Sequence, residues 1–180
     1  FGVPRAAIEG TTLAYDLIRR YARRGPAEIE IAGPRKHPQL VIRHRLTYFG
    51  FELDAEVEPV EGALAPELLP ALHEALARHL LAGEAPHPSQ GRVRRAAAEL
   101  GELWRRSGGT LVAASPESVR QALVDQLGGV TDWNRFVGTP LALEVESRVP
   151  PSERERLLAL PASVRLFGDV VPLHYEIGPE

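Results

Sequence analysis

The residues with the clearest chemical potential are five arginines gathered in Ser89–Gly109, SQGRVRRAAAELGELWRRSGG. A guanidinium group offers a rigid fork of donors matched to phosphate and carboxylate oxygens. Arg92, Arg94, Arg95, Arg105 and Arg106 in one segment therefore point to holding an anionic partner rather than to making or breaking bonds. The segment predicts one helix stopped by Gly108-Gly109. At about 100° per residue, Val93, Ala96, Ala97, Leu100 and Trp104 share an apolar stripe about 100° wide, with Trp104 in the core. Arg92, Arg95 and Arg106 fall on the far side, and Arg94 and Arg105 flank the stripe. Glu99 and Glu102 offset two of the five charges, Glu102 by the favoured i,i+4 pairing with Arg106. A second group, Arg19, Arg20, Arg23 and Arg24, closes a predicted helix over Thr11–Arg24, where the macrodipole favours cations. These nine arginines are the candidate contacts to backbone phosphates. An ordinary solvated helix carries the same pattern, so the bland reading stands beside the functional one at this point.

Other chemistry is sparse. The chain contains no GxxxxGK[ST], no GxGxxG after a strand, no HExxH and no GxSxG. It has no Cys, so thiolate metal sites and disulfides are impossible. His73 and His79 sit on different faces of one predicted helix, and His37 and His87 each precede Pro in a loop. Each reads as a lone surface histidine. Hydrolase or nuclease chemistry through His44 or His174 would require a carboxylate within hydrogen-bond reach in a cleft. The acids of Glu52–Glu58 alternate along a strand and belong to a wet face. The expectation is a piece with no catalytic residues, no metal and no cofactor.

The 180 residues, with 44% hydrophobic and 25% charged side chains, fit one globular domain. No apolar run is long enough to span a bilayer, and the absence of Cys suits a cytoplasmic location. The chain opens on Phe1 and has no Met, which reads as a piece of a longer polypeptide. The net charge of −3 is unevenly sorted: residues 1–50 carry nine basic and four acidic groups, residues 51–88 one basic and eight acidic. Such asymmetry either creates opposed surface fields or lets the two segments neutralise each other in the fold.

Strands are predicted over Ala27–Ala32, Leu40–Tyr48 and Phe51–Val57, the last with Phe51, Leu53, Ala55 and Val57 on a buried side. Arg43 and Arg45 are expected to pair with Glu52, Asp54 or Glu56 across strands. Helices are predicted over Pro66–Ala82, the arginine segment, Glu117–Leu127 capped by Ser115, and a short turn capped by Asp132. The end returns to β at Leu141–Val145, then a helix capped by Ser152, then strands Ala162–Phe167 and Val170–Ile177 joined by Gly168-Asp169. Grouped strands and grouped helices give an α+β fold, mostly antiparallel strands at both ends with a central group of four helices. The whole of 1–180 reads as a single accessory domain, β-rich over 27–58, helical over 66–137 and β-rich over 141–177.

The terminal phrase Leu160-Pro161-Ala162-Ser163-Val164-Arg165-Leu166-Phe167-Gly168-Asp169-Val170-Val171-Pro172-Leu173-His174-Tyr175-Glu176-Ile177 resembles the C-terminal accessory region of bacterial DEAH-type (HrpA/HrpB-like) ATP-dependent helicases. The resemblance covers about a tenth of the chain and includes none of the motor's motifs. It implies an accessory domain of a nucleic-acid-stimulated motor, without hydrolysis of its own. Its partners would be RNA or DNA, contacted at the backbone without sequence readout, and the parent chain's other domains. The alternative is a protein-interaction or scaffolding module that docks a basic partner through the acidic 51–84 segment.

Overall fold

The computed structural model describes residues 14–34 and 37–178. Helix α1 (Tyr15–Arg20) leads into strands β1 (Arg23–Ala32), β2 (Gln39–Tyr48) and β3 (Phe51–Pro59), which pair antiparallel in that order. Helices α2 (Leu69–Ala82), α3 (Gln90–Arg106), α4 (Pro116–Gln126) and α5 (Trp133–Gly138) form the middle of the chain. Short helices α6 (Val145–Arg148) and α7 (Pro151–Leu158) precede a separate antiparallel hairpin, β4 (Ser163–Leu166) and β5 (Asp169–Pro172). The fold is α+β, with antiparallel strands near both ends and four helices between, as the patterning predicts.

One core joins sheet and helices. Leu72, Leu76 and Leu80 of α2 meet Val93, Leu100 and Leu103 of α3, Leu123 of α4, Phe136 of α5 and Leu157 of α7, each with 1% or less of its surface exposed. Ile29 and Leu40 bring the sheet into the same cluster. Burial of each such side chain favours folding by roughly 1.5–3 kcal/mol. The predicted caps hold, as Ser115 accepts the Ser118 N–H and Asp132 accepts the Arg135 N–H; the helix predicted from Pro66 opens instead as a 3-10 turn over Pro66–Leu68, and α2 starts at Leu69 with Pro70 in its first turn. Gly83 ends α2 at φ 83°, the left-handed position a glycine stop requires.

Several expectations are corrected. The first helix ends at Arg20, so Arg23 and Arg24 belong to a strand; Thr11–Leu13 of the predicted helix lie outside the described residues. Gly25-Pro26 does not separate helix from strand. It forms a bulge inside β1, where the register shifts between Arg24 and Ala27, and Pro is tolerated because β1 is an edge strand. In β3 a second irregularity leaves Leu53 without a partner, since Leu46 pairs with Asp54 and Thr47 with Glu52. The alternation therefore breaks at Leu53, and Phe51 is exposed along with Val57. Along α3 the stripe is completed by Leu103, which is fully buried, whereas Trp104 packs on the core while half-buried.

Leu141, Leu143 and Val145 are buried in the predicted alternation, yet the segment joins no sheet and Val145 opens α6. The Gln126 amide stands where a neighbouring strand would: its Nε2 donates to Ala142 O at 2.9 Å and its Oε1 accepts Ala142 N–H at 3.0 Å. Helix α7 starts at Pro151 without a side-chain cap, so Ser152 lies inside its first turn. The last hairpin turns at Phe167-Gly168, since Leu166 pairs with Asp169.

Candidate nucleic-acid interface

The nine arginines divide into groups with different work. Arg106 is bound inward: only 11% of its side chain is exposed. Its Nε donates to Glu102 at 2.7 Å, its Nη1 donates to the Leu160 and Leu157 carbonyls at 2.9 and 3.2 Å, and its guanidinium carbon lies 5.1 Å from the centre of the Tyr175 ring. It closes the C-terminal end of α7 and fastens the chain beyond the last hairpin. It is therefore occupied by structure and unavailable to a phosphate. Arg105 also donates to Glu102, at 2.8 Å. The two guanidiniums, Arg106 foremost, hold the Glu102 carboxyl below the ordinary carboxylate range.

At the other end, Arg24 pairs with Glu56 at 3.3 Å and with Glu58, and Arg19 lies 3.9 Å from Glu56. Arg20 and Arg23 have no ion-pair partner among the described residues. Arg23 opposes Thr47 at the open end of the sheet. Arg92, Arg94 and Arg95 also have no ion-pair partner among the described residues. Arg92 reaches the Ser89 hydroxyl and Leu141 carbonyl at 3.4 Å each, and Arg95 donates to its own helix at Gly91 O. Arg94 lies over Gly83, where an added Cβ would meet its Nη1 at 2.7 Å. That places a cation at the C-terminal end of α2, as the macrodipole favours. All three remain exposed.

Four of the eight acids of the acidic segment meet arginines of the same chain. Besides Glu56 and Glu58, Glu52 lies 3.9 Å from Arg45 and Glu74 is bound by Arg120, while Glu84 is hydrogen-bonded to the His79 ring. Arg43 and Arg45 choose β1 over β3 as their main partner, bonding Glu30 at 2.9 Å and Glu28 at 3.2 Å. The two segments meet through Arg19, Arg24 and Arg45, which face Glu56, Glu58 and Glu52.

Four of the six histidines bond other groups of the fold. His73 and His87 are buried, contrary to the surface reading, and bond the carbonyls of Val130 at 2.8 Å and Phe136 at 3.0 Å. Ser89 N–H donates to His87 Nδ1 at 3.0 Å, so Nε2 carries the proton and donates to Phe136 O. Burial pushes the His87 pKa below its ordinary value, which suits this neutral tautomer. His44 bonds the Gly25 carbonyl at 3.1 Å rather than a carboxylate. His79 does meet a carboxylate, Glu84 at 2.7 Å, beside a cavity of about 300 Å³ lined by Gly33 and Pro38. Its Nε2, the atom that would act as base, is sealed from solvent and unpartnered. That pair closes a helix end and cannot take a proton from a substrate. No cluster of His, Asp and Glu fit to hold a metal occurs among the described residues.

A feature missed in the sequence lies around Arg23. Tyr21, Arg23, Thr47, Tyr48, Phe49 and Gly50 line an open cavity of about 600 Å³ at the β2–β3 turn. The Tyr48 and Phe49 rings meet edge to face at 4.7 Å. The only sequence signal was the density of aromatics in Tyr48-Phe49-Gly50-Phe51, which reads equally as an ordinary strand and turn.

No helix among the described residues is long and apolar enough to cross a membrane. Set against protein-family models, curated proteins and solved structures, the chain finds no match, so its functional reading stands on this geometry.

Proposed function

We propose that the chain is a non-catalytic module that contacts nucleic acid through its backbone phosphates, without reading base sequence. The observation that carries this reading is the set Arg92, Arg94 and Arg95: three exposed guanidiniums within the first turns of α3, without ion-pair partners among the described residues. Arg105, Arg106, Arg19 and Arg24 leave the contact set because their own carboxylates or carbonyls hold them. The likeness of the last hairpin to the accessory region of DEAH-type helicases is the reason for assigning the parent protein to ATP-dependent motors of the bacterial cytoplasm.

Each phosphate neutralised on a duplex adds about −0.9 to the slope of log affinity against log salt. Three contacts give a slope of about −2.7, measured by fluorescence anisotropy on a labelled duplex. Arg92→Glu with Arg95→Glu abolishes that slope, whereas Arg105→Glu leaves it in place. Undetectable wild-type binding at low salt, or binding indifferent to the Arg92 and Arg95 reversals, refutes the assignment.

A second reading has its own observation. Every residue of β4 and β5 is exposed, including Val164, Leu166, Val170 and Val171. An isolated two-stranded hairpin is marginal in water, which favours docking of this hairpin on another part of the parent protein. Hydrogen exchange tests it: the amides of residues 163–172 become protected when the remaining domains are added, and unchanged exchange refutes it.

A further inference from the structure

The two hairpin turns share an unfavourable choice of residue. In Tyr48-Phe49-Gly50-Phe51 the two central residues have φ 48° and 83°, and in Leu166-Phe167-Gly168-Asp169 they have φ 50° and 98°. Positive φ at both central positions marks the type I′ turn, for which Asn-Gly or Asp-Gly is the preferred pair. A bulky side chain at that first position is a genuine outlier. Phe49 and Phe167 are also exposed, Phe49 at 85%. Neither strain nor burial recommends phenylalanine there.

The surroundings of the two rings differ. Phe49 meets Tyr48 edge-on, shares a cavity of about 600 Å³ with Tyr21, Thr47 and Arg23, and has Phe51 one step across the turn. Arg23 is a cation without an ion-pair partner among the described residues. Of the four acids of neighbouring β3, Glu52 faces Arg45, Glu56 and Glu58 face Arg24, and Asp54 accepts the Ala55 N–H. Flat aromatic faces beside an available guanidinium fit a ligand that is itself flat and carries an adjacent anion. An unpaired base with its phosphate is such a ligand, since bases of any identity stack on Phe and Tyr. A base within a duplex has its faces covered by its neighbours and cannot enter.

We propose that the Phe49 turn is a stacking site for an unpaired nucleobase of a single strand, with Arg23 taking the adjoining phosphate. This rests on the nucleic-acid reading and adds to it a preference for single strands. The site lies at the open end of the sheet, opposite the β1–β2 turn, whose Gly33 and Pro38 neighbour Gly83 beneath Arg94. It is therefore separate from the α3 arginines and can be tested apart from them.

The experiment uses the whole chain, labelled oligothymidylate and a duplex of equal length, at low salt. Phe49→Asn installs the preferred turn residue, so its thermal midpoint is equal to or higher than wild type, and lost binding cannot be blamed on unfolding. Expected is about a tenfold loss of oligothymidylate affinity, with duplex affinity unchanged; Arg23→Gln weakens the single strand likewise, and Phe167→Asn changes neither. Single-strand affinity within twofold of wild type in Phe49→Asn overturns the stacking site while leaving the α3 reading intact. Equal loss for both oligonucleotides also overturns it. Absence of wild-type binding to either removes both proposals, and self-association of wild type abolished by Phe49→Asn assigns the turn to a second copy of the chain instead.

Discussion

Adjacent arginines on α3 allow a direct comparison of a charge that holds the fold together with one that does not. Arg105 and Arg106 both bond Glu102, but Arg105 is 48% exposed and Arg106 only 11%. Exposed ion pairs contribute about 0–1 kcal/mol, so Arg105→Ala shifts stability by no more than about 0.5 kcal/mol. Arg106→Ala removes two well-formed bonds from a cation to the Leu160 and Leu157 carbonyls, plus the Tyr175 ring contact. At about 1.5 kcal/mol for each charged bond and about 0.5–1 for the ring, the loss comes to about 3–4 kcal/mol. That is a large share of a typical total of about 5–15 kcal/mol. Urea titration followed by far-ultraviolet circular dichroism measures it: at a slope of about 2 kcal/mol per molar, the midpoint moves by about 1.5–2 M. Arg106→Lys keeps the charge but not the fork, and falls between wild type and alanine. If Arg106→Ala and Arg105→Ala have midpoints that coincide within error, the assignment of Arg106 as a closing residue is wrong.

Acid should expose the neutral state of His87. Its folded pKa lies below the ordinary 6.5 because of burial, so the unfolded chain takes the proton first as pH falls. The stability tied to neutral His87 is whole above about pH 6.5 and declines below it by up to about 1.4 kcal/mol per unit, until the folded value is reached. His87→Asn flattens that part of the stability profile, and a profile equally steep in the variant refutes the assignment. Gly83→Ala lowers stability by about 1 kcal/mol because its φ of 83° is left-handed. The loss persists in an Arg94→Ala background, since the strain is in the backbone; its disappearance there would make the guanidinium contact the cause.

Local chemistry was legible and distant chemistry was not. Ser115 and Asp132 cap their helices by bonds three residues long, and the leucine spacing of α2 reports its buried side directly. Gly25-Pro26 was ambiguous because the same dipeptide stops a helix or bulges an edge strand, and only pairing with β2 decides between them. Leu141–Val145 kept its alternating burial while its partner proved to be one glutamine side chain, which no periodicity reveals. Arg106 looked like any outward arginine because its carbonyl partners lie about fifty residues further on. The turn between Tyr48 and Phe51 was legible from the strands predicted on either side, but its left-handed Phe49 was not. Phe-Gly carries no hairpin signal, since the preference it violates is the one used to recognise such turns.

Helix α3 has its available arginines near one end and Arg106, clamped against α7 and Tyr175, at the other. At 1.5 Å of rise per residue, Arg95 and Arg106 are separated by about 16 Å along a rigid rod. Ile177 packs against Gly109 just beyond that end, so the foot of the terminal hairpin is fixed to the same rod. The spacing between the α3 arginines and the hairpin is thus a fixed gauge, and a partner touching both must be cut to that measure.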